Sequence, residues 1–214
     1  MDDILKQIYQ GIVEGQQDAV TAGVEAALQA GLPARTILDD GMLSAMAEVG
    51  RLFEEGECYV PEMMISARAM KAGLAKLQPH MKQTNVQAAG IVALGTVKGD
   101  LHDLGKNLVG MMLEGAGFTI KDLGVDVPPE RFVTAADEVD VIGLSALLTT
   151  TMGSMKTTLD ALDAAGKRPK VKVIVGGAPI TEDYARHIGA DGYAADASRA
   201  VALAKSLISQ RNKR

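Results

Sequence analysis

From about residue 88 onward, short apolar runs alternate with stretches in which apolar residues recur every three or four positions. The runs at 90–94, 139–143 and 171–175 have the length and β-branched content of buried strands, and further strands are read at 119–123 and, shorter, near 192–194. Between and after them, about 104–116, 129–137, 153–165, 181–188 and 197–209 carry helical periodicity. Such regular alternation predicts a parallel sheet with right-handed crossovers. The chain before it differs. Leu38, Met42, Ala45, Met46, Val49 and Phe53 fall at helical steps on one face. Pro33 suits the first turn of that helix and Pro61 the first turn of the next, where an N–H is not needed. Two earlier helices are expected at about 2–14 and 17–29, and four helices with short loops suggest an antiparallel bundle. The polar segment Pro79-His80-Met81-Lys82-Gln83-Thr84-Asn85 separates the two patterns and reads as a linker. The expected division is a helical domain at 1–80, a linker at 81–87 and an α/β domain at 88–214.

Composition narrows the function classes. With 3% aromatic residues, no Trp and eleven Met, the core must be built from aliphatic and methionine side chains. A net charge of −5 argues against a nucleic-acid surface, and the basic end at 211–214 is too short to reverse that. The single Cys58 excludes an internal disulfide and suits a reducing cytoplasm. No signal-like start and no apolar run of membrane-spanning length are present, so neither export nor a membrane anchor is expected.

The chemistry concentrates in Gly95-Thr96-Val97-Lys98-Gly99-Asp100-Leu101-His102-Asp103-Leu104-Gly105-Lys106-Asn107. A histidine stands between two carboxylates on a loop leaving the C-terminal end of a strand, the edge where open α/β sheets bind ligands. Imidazole is the commonest protein ligand for transition metals, and a carboxylate on its far nitrogen fixes the ring and raises its basicity. Asp100 and His102, two apart, suit that pairing. The other histidines fit blander roles, His80 in the linker and His187 at a helix end where a cation suits the dipole. A phosphate loop is excluded, because five residues separate Gly99 from Gly105 and Asn107 stands where Ser or Thr is needed. An acidic pocket of Asp100, Asp103, Asp126 and Asp122, holding a hard divalent cation, is the competing reading of the same edge.

Asp100, His102 and Gly105, as Asp-x-His-x-x-Gly, resemble the signature of the methyl-carrying cobalamin-binding family, which includes the cobalamin module of methionine synthase and the corrinoid proteins of methanol, methylamine, betaine and O-demethylase systems. Ser145-Ala146-Leu147-Leu148-Thr149-Thr150-Thr151 resembles the family's stretch after the third strand, and Gly176-Gly177 its paired glycines after the fourth. The resemblance implies an N-terminal four-helix cap followed by a flavodoxin-like (Rossmann-like), doubly wound, five-stranded parallel sheet. It implies cobalamin or a related corrinoid as cofactor, cycling between cob(I)alamin and methylcob(III)alamin, with His102 as the lower axial cobalt ligand in place of the cofactor's own base. Asp100 and Thr151 would form the relay tuning that ligand, with Thr149 and Thr150 as alternatives for the hydroxyl. Gly99, Leu101, Asp103 and Gly105 would line the cofactor's loop. Ser145 would bond the displaced base, with Leu147 and Thr149 beside it and Gly176-Gly177 admitting the nucleotide tail. Phe53 and Val60, in Gly50-Arg51-Leu52-Phe53-Glu54-Glu55-Gly56-Glu57-Cys58-Tyr59-Val60-Pro61, would pack over the methyl face. The implied partners are a substrate-specific methyltransferase, an acceptor methyltransferase acting on a thiol or tetrahydrofolate, and a reductive activase; a homo-oligomer is compatible with this. The chain would be a carrier rather than a complete enzyme. The alternatives are the cobalamin-binding subunit of an adenosylcobalamin mutase, which lacks such a cap, and a cobalamin-sensing regulator, which needs a DNA-binding segment.

Overall fold

A computed structural model describes residues 3–83 and 88–211. The chain forms two compact units, Met1–Ala88 with Glu114–Gly117, and Ala89–Leu113 with Phe118–Arg214.

The helical unit runs α1 (Asp3–Val13), α2 (Gln17–Gln29), α3 (Ala34–Thr36), α4 (Ser44–Glu54) and α5 (Val60–Gln83), with a wider π-helical stretch at Ile37–Leu43 joining α3 to α4. Its core is aliphatic and methionine-rich: Ile8, Ile12, Ile37, Met42, Met63, Met70 and Leu77 are all excluded from solvent. Unbranched methionine fills the irregular gaps that aromatic side chains would otherwise occupy. The expected face is realised, since Leu38, Met42, Ala45, Met46 and Val49 are buried and Phe53 is partly so. Its π-helical segment was not foreseen, because four-residue apolar spacing fits both helix types. Pro33 stands just before α3 with extended backbone (φ −60°, ψ 136°) rather than inside its first turn. Helix α5 runs through Pro79 to Gln83, where a linker was expected to begin. A proline inside a helix forfeits one hydrogen bond and strains one turn, and here the helix tolerates it near its end. Of the expected linker, positions 84–87 lie outside the described residues, as do 212–214 of the basic end.

The second unit alternates β1 (Ile91–Val97), α6 (Leu104–Gly115), β2 (Thr119–Val127), α7 (Pro129–Ala135), β3 (Val141–Ser145), α8 (Gly153–Ala164), β4 (Lys172–Gly176), α9 (Glu182–Ile188), β5 (Gly192–Tyr193) and α10 (Ala197–Arg211). The five strands form one parallel sheet in the order β2-β1-β3-β4-β5, the doubly wound order with a switch point between β1 and β3. Ala93, Val97, Ile142, Leu144, Val173 and Val175 pack against Phe132, Met155 and Leu159 in its core. β1 extends past the expected end at 94, with Gly95 and Thr96 still paired in the sheet. The Gly95 position is set by packing: a Cβ there would come within 2.6 Å of the Phe132 ring.

Candidate functional site

Pairing places the three motifs in one row. Thr96 of β1 lies opposite Ser145 of β3, and Ser145 opposite Gly176 of β4, so the loops that follow all leave from the same sheet edge. The loop after β1 turns at Gly99, whose φ of 87° suits a residue without a Cβ. It then delivers Asp100 into the interior and His102 to the surface.

Asp100 is 0% exposed. Five donors reach it among the described residues. Oδ1 accepts the His102 backbone N–H (3.1 Å) and lies 2.7 Å from His102 Nδ1. Oδ2 accepts the N–H groups of Leu147 (2.8 Å) and Leu148 (3.3 Å) and the Thr151 hydroxyl (2.7 Å). Burial alone pushes this carboxyl up, but the hydrogen bonds from Thr151, Leu147 and His102 outweigh it and hold Asp100 well below the ordinary carboxylate range. An ionised Asp100 only accepts, so His102 Nδ1 carries the proton of this contact and Nε2 lies on the far side of the ring. The His102 side chain is 51% exposed, its carbonyl held by the buried Thr96 hydroxyl at 2.8 Å. The result is a pre-oriented imidazole whose far nitrogen is turned away from Asp100, on a side chain half open to solvent.

The three threonines after β3 differ in burial. Thr151 is buried and bonds Asp100, whereas Thr149 and Thr150 are exposed. Ser145 is half-buried at the end of β3, and Leu147 reaches Asp100 through its backbone while its side chain is exposed. The paired glycines serve the chain's own packing: a Cβ at Gly177 would stand 1.9 Å from the Ala146 carbonyl oxygen, and one at Gly176 would stand 2.9 Å from that of Ala194. At Gly105, by contrast, no heavy atom lies within 4 Å of where a Cβ would be. Phe53 and Val60, at the end of α4 and the start of α5, are partly buried within the helical unit and are not among the residues that the sheet edge assembles.

The competing acidic pocket does not form. Asp100 is saturated by donors, Asp126 accepts the Gly99 N–H at 2.7 Å, and Asp103 accepts from the Asn107 amide at 3.0 Å. Asp122 pairs with Lys106 at 2.7 Å. Burial raises the Asp122 carboxyl, but the Lys106 ammonium and the Gly124 N–H bring it below its usual range. Among the described residues no group of three or more His, Cys, Asp or Glu side chains is placed to hold a metal ion. A metal here would have to bring most of its ligands with it. The surroundings suit such a group. Leu101 (71% exposed), Leu104 (67%), Val125, Leu147 and Leu148 are five of the seven exposed large hydrophobic residues among the described residues, and all belong to this edge. Clustered exposed apolar side chains mark a binding surface. Thr96 and Lys106 had no role in the sequence reading; a polar residue ending an apolar run was the available signal for Thr96.

Residues 90–202 match the B12 binding domain family, and residues 4–78 match a second family also described as a B12 binding domain. A dimethylamine corrinoid protein of Methanosarcina mazei is 44% identical over 210 residues, 97% of each chain. A corrinoid protein of Desulfitobacterium hafniense is 40% identical over 210 residues, 96% of this chain and 97% of its own. Among solved structures, the methanol:cobalamin methyltransferase complex of Methanosarcina barkeri is similar with a TM-score of 0.85 at 31% identity, covering 97% of this chain and 80% of its own. A cobalamin-binding protein from Desulfitobacterium hafniense gives 0.80 at 31% identity, covering 95% and 98%. A half-exposed histidine at the sheet edge with an apolar rim, together with full-length relatives of this identity, leads to one conclusion: the chain belongs to the family of B12-binding corrinoid proteins.

Proposed function

We propose that this chain carries a methyl group on the cobalt of a bound corrinoid between two methyltransferases, with His102 Nε2 as the axial ligand. The observation that carries this reading is the buried, donor-saturated Asp100 fixing a half-exposed imidazole inside an apolar rim. Cobalt in a corrin ring supplies a nucleophile strong enough to accept a methyl group and a bond weak enough to release it. The protein's residues do the rest. Asp100 keeps the imidazole in the Nδ1–H tautomer and in a fixed orientation, so little ordering is needed when Nε2 binds. Leu101, Leu104, Leu147 and Leu148 offer apolar surface to a flat macrocycle. Gly105 leaves room for a bulky tail beside the first turn of α6. To Phe53 and Val60 we assign the shielding of the methyl-bearing face.

A first partner would present the methyl donor, a second would take the methyl to a thiol or tetrahydrofolate, and a reductive activase would rescue oxidised cofactor. Several relatives named for dimethylamine, at 40–44% identity, favour an N-methyl donor over methanol. The chain by itself acts as carrier, and the free thiol of Cys58 suits a reducing compartment such as the cytoplasm. No helix among the described residues is long and apolar enough to cross a membrane.

The test is electron paramagnetic resonance of protein loaded with cob(II)alamin whose benzimidazole carries nitrogen-15. Splitting from an unlabelled histidine nitrogen is expected in the wild type and should vanish in His102→Ala, with cofactor still bound. Splitting from the labelled base in the wild type would overturn the assignment of His102.

A further inference from the structure

We propose that the irregular end of β2 is a clamp on the histidine loop, making Asp126, and Asp122 acting through Lys106, positioning residues for His102. The inference deepens the proposed function and rests on His102 as the axial ligand.

β2 pairs with β1 in parallel, but its register slips twice. Leu94 faces Asp122, Gly95 faces Gly124, and Val97 faces Val127, so β2 holds one extra residue at each step. A bulge re-aims the side chains around it, and bulges favour sites beside ligands. A carboxylate stands at each slip: Asp126 bonds the His102 loop directly, whereas Asp122 bonds Lys106 of α6 and the Gly124 N–H of its own strand. Asp122 stands immediately before the first, and Asp126 lies in the second. Asp126 also has a φ of 50° and is the only described residue other than glycine with positive φ. Aspartate tolerates that conformation better than most residues, yet holding it there requires surrounding contacts.

Those contacts are with the flank of the loop that precedes His102. The Gly99 N–H donates to Asp126 Oδ1 at 2.7 Å, and the Asp126 N–H donates to the Asp100 carbonyl at 2.9 Å. This reciprocal pair fixes the backbone on both sides of the Gly99–Asp100 peptide. The other flank is held through a chain of side chains. Asp122 Oδ1 accepts from Lys106 Nζ at 2.7 Å, Lys106 also donates to Asn107 Oδ1 at 2.8 Å, and the Asn107 amide donates to Asp103 at 3.0 Å. The Lys106 side chain is 3% exposed, and an ammonium is kept that dry only when its partners are in place. Asp103 is the residue after His102, so the two prongs end on residues that flank His102 along the chain. Asp100 sets the ring through its side chain; the clamp sets the backbone from which both Asp100 and His102 project.

Three variants test this. Asp126→Gly permits the positive φ but removes the acceptor. Asp126→Asn keeps both the conformational tolerance and an amide oxygen for the Gly99 N–H. Lys106→Met removes the second prong while preserving length. In the cofactor-free protein, amide hydrogen exchange over 99–104 should quicken about tenfold in Asp126→Gly and Lys106→Met. The β3 amides should keep their wild-type rates, and Asp126→Asn should match wild type throughout. With cob(II)alamin bound, the fraction of cobalt showing histidine-nitrogen splitting should fall in the first two variants and not in the third. Unchanged exchange and unchanged splitting in both Asp126→Gly and Lys106→Met would overturn the clamp. So would exchange that rises equally in β3, which would make these residues general stabilisers. Absence of histidine splitting in the wild type would instead remove the ligand assignment, while the exchange measurement would still report on the clamp itself.

Discussion

At the scale of single residues, glycines that look alike in the sequence do different things. Gly177 has a φ of 132° and a phantom Cβ 1.9 Å from the carbonyl oxygen of Ala146. That overlap is with backbone, which cannot swing aside as a flexible side chain can. Gly177→Ala is therefore expected to destabilise the α/β unit by about 2 kcal/mol or more, read from the urea unfolding midpoint. Gly105 occupies the first turn of α6 with open space where its Cβ would be. Gly105→Ala should raise cofactor-free stability by about 0.5–1 kcal/mol, since alanine loses less backbone entropy in a helix. If a cofactor tail lies in that space, the same variant should bind cobalamin more weakly. Unchanged affinity in the more stable variant would free Gly105 of its assigned role.

At the scale of elements, the edge of the sheet opposite the site has its own electrostatic tie. Asp191, just before β5, accepts from Arg168 (2.6 Å), Lys172 (2.7 Å) and the Val173 N–H (2.8 Å), joining β5 to the turn before β4 and to β4 itself. Burial raises the Asp191 carboxyl, but Lys172, the Val173 N–H and Arg168 together bring it below its usual value. A folded-state pKa below the unfolded one means that the stabilisation is fully present above the unfolded value, about pH 4. It is lost as pH falls through the lower folded value. Asp191→Asn should cost about 1–3 kcal/mol at pH 7. Measured by urea unfolding from pH 7 to pH 3, the gap between wild type and variant should hold down to about pH 4 and narrow below it. A gap that stays constant to pH 3 would show that the pairing is geometric rather than ionic.

At the scale of the whole molecule, each unit buries its own apolar residues: Ile8, Ile12, Met42, Met63 and Met70 in the helical one, and Phe132, Ile142, Met155 and Leu159 in the α/β one. A unit with its own core can fold alone. Removal of residues 1–82 is expected to leave a cooperatively folding α/β unit that still binds cobalamin, checked by thermal unfolding and by titration with the cofactor. If Phe53 and Val60 shield the methyl group, the methylated cofactor on this fragment should photolyse faster than on the full chain. Equal photolysis rates would remove the shielding role and leave the binding function intact.

The elements of the α/β part were legible in the sequence because buried parallel strands are continuous apolar runs and their crossovers carry helical periodicity, both local patterns. His102 and Asp100 were legible because two residues of separation suffice to pair a carboxylate with an imidazole. Thr151, 51 residues from Asp100, was named through the resemblance with Thr149 and Thr150 as alternatives, and its bond to Asp100 becomes visible only once β3 is paired with β1. The competing acidic pocket could be set aside only once the fold had placed the partners, since Asp122 pairs with Lys106 and Asp126 with the Gly99 N–H, both distant in sequence. The slips of β2 leave no trace in hydrophobic pattern, since a bulge is defined by the strand beside it. The π-helical stretch is hidden because its apolar spacing is also that of an α-helix, and the polar segment from Pro79 reads as a linker although α5 runs on to Gln83. Local periodicity determined the elements and a short motif the histidine loop; which polar groups meet was decided by strand pairing, because hydrogen bonds act over about 3 Å whatever the separation along the chain.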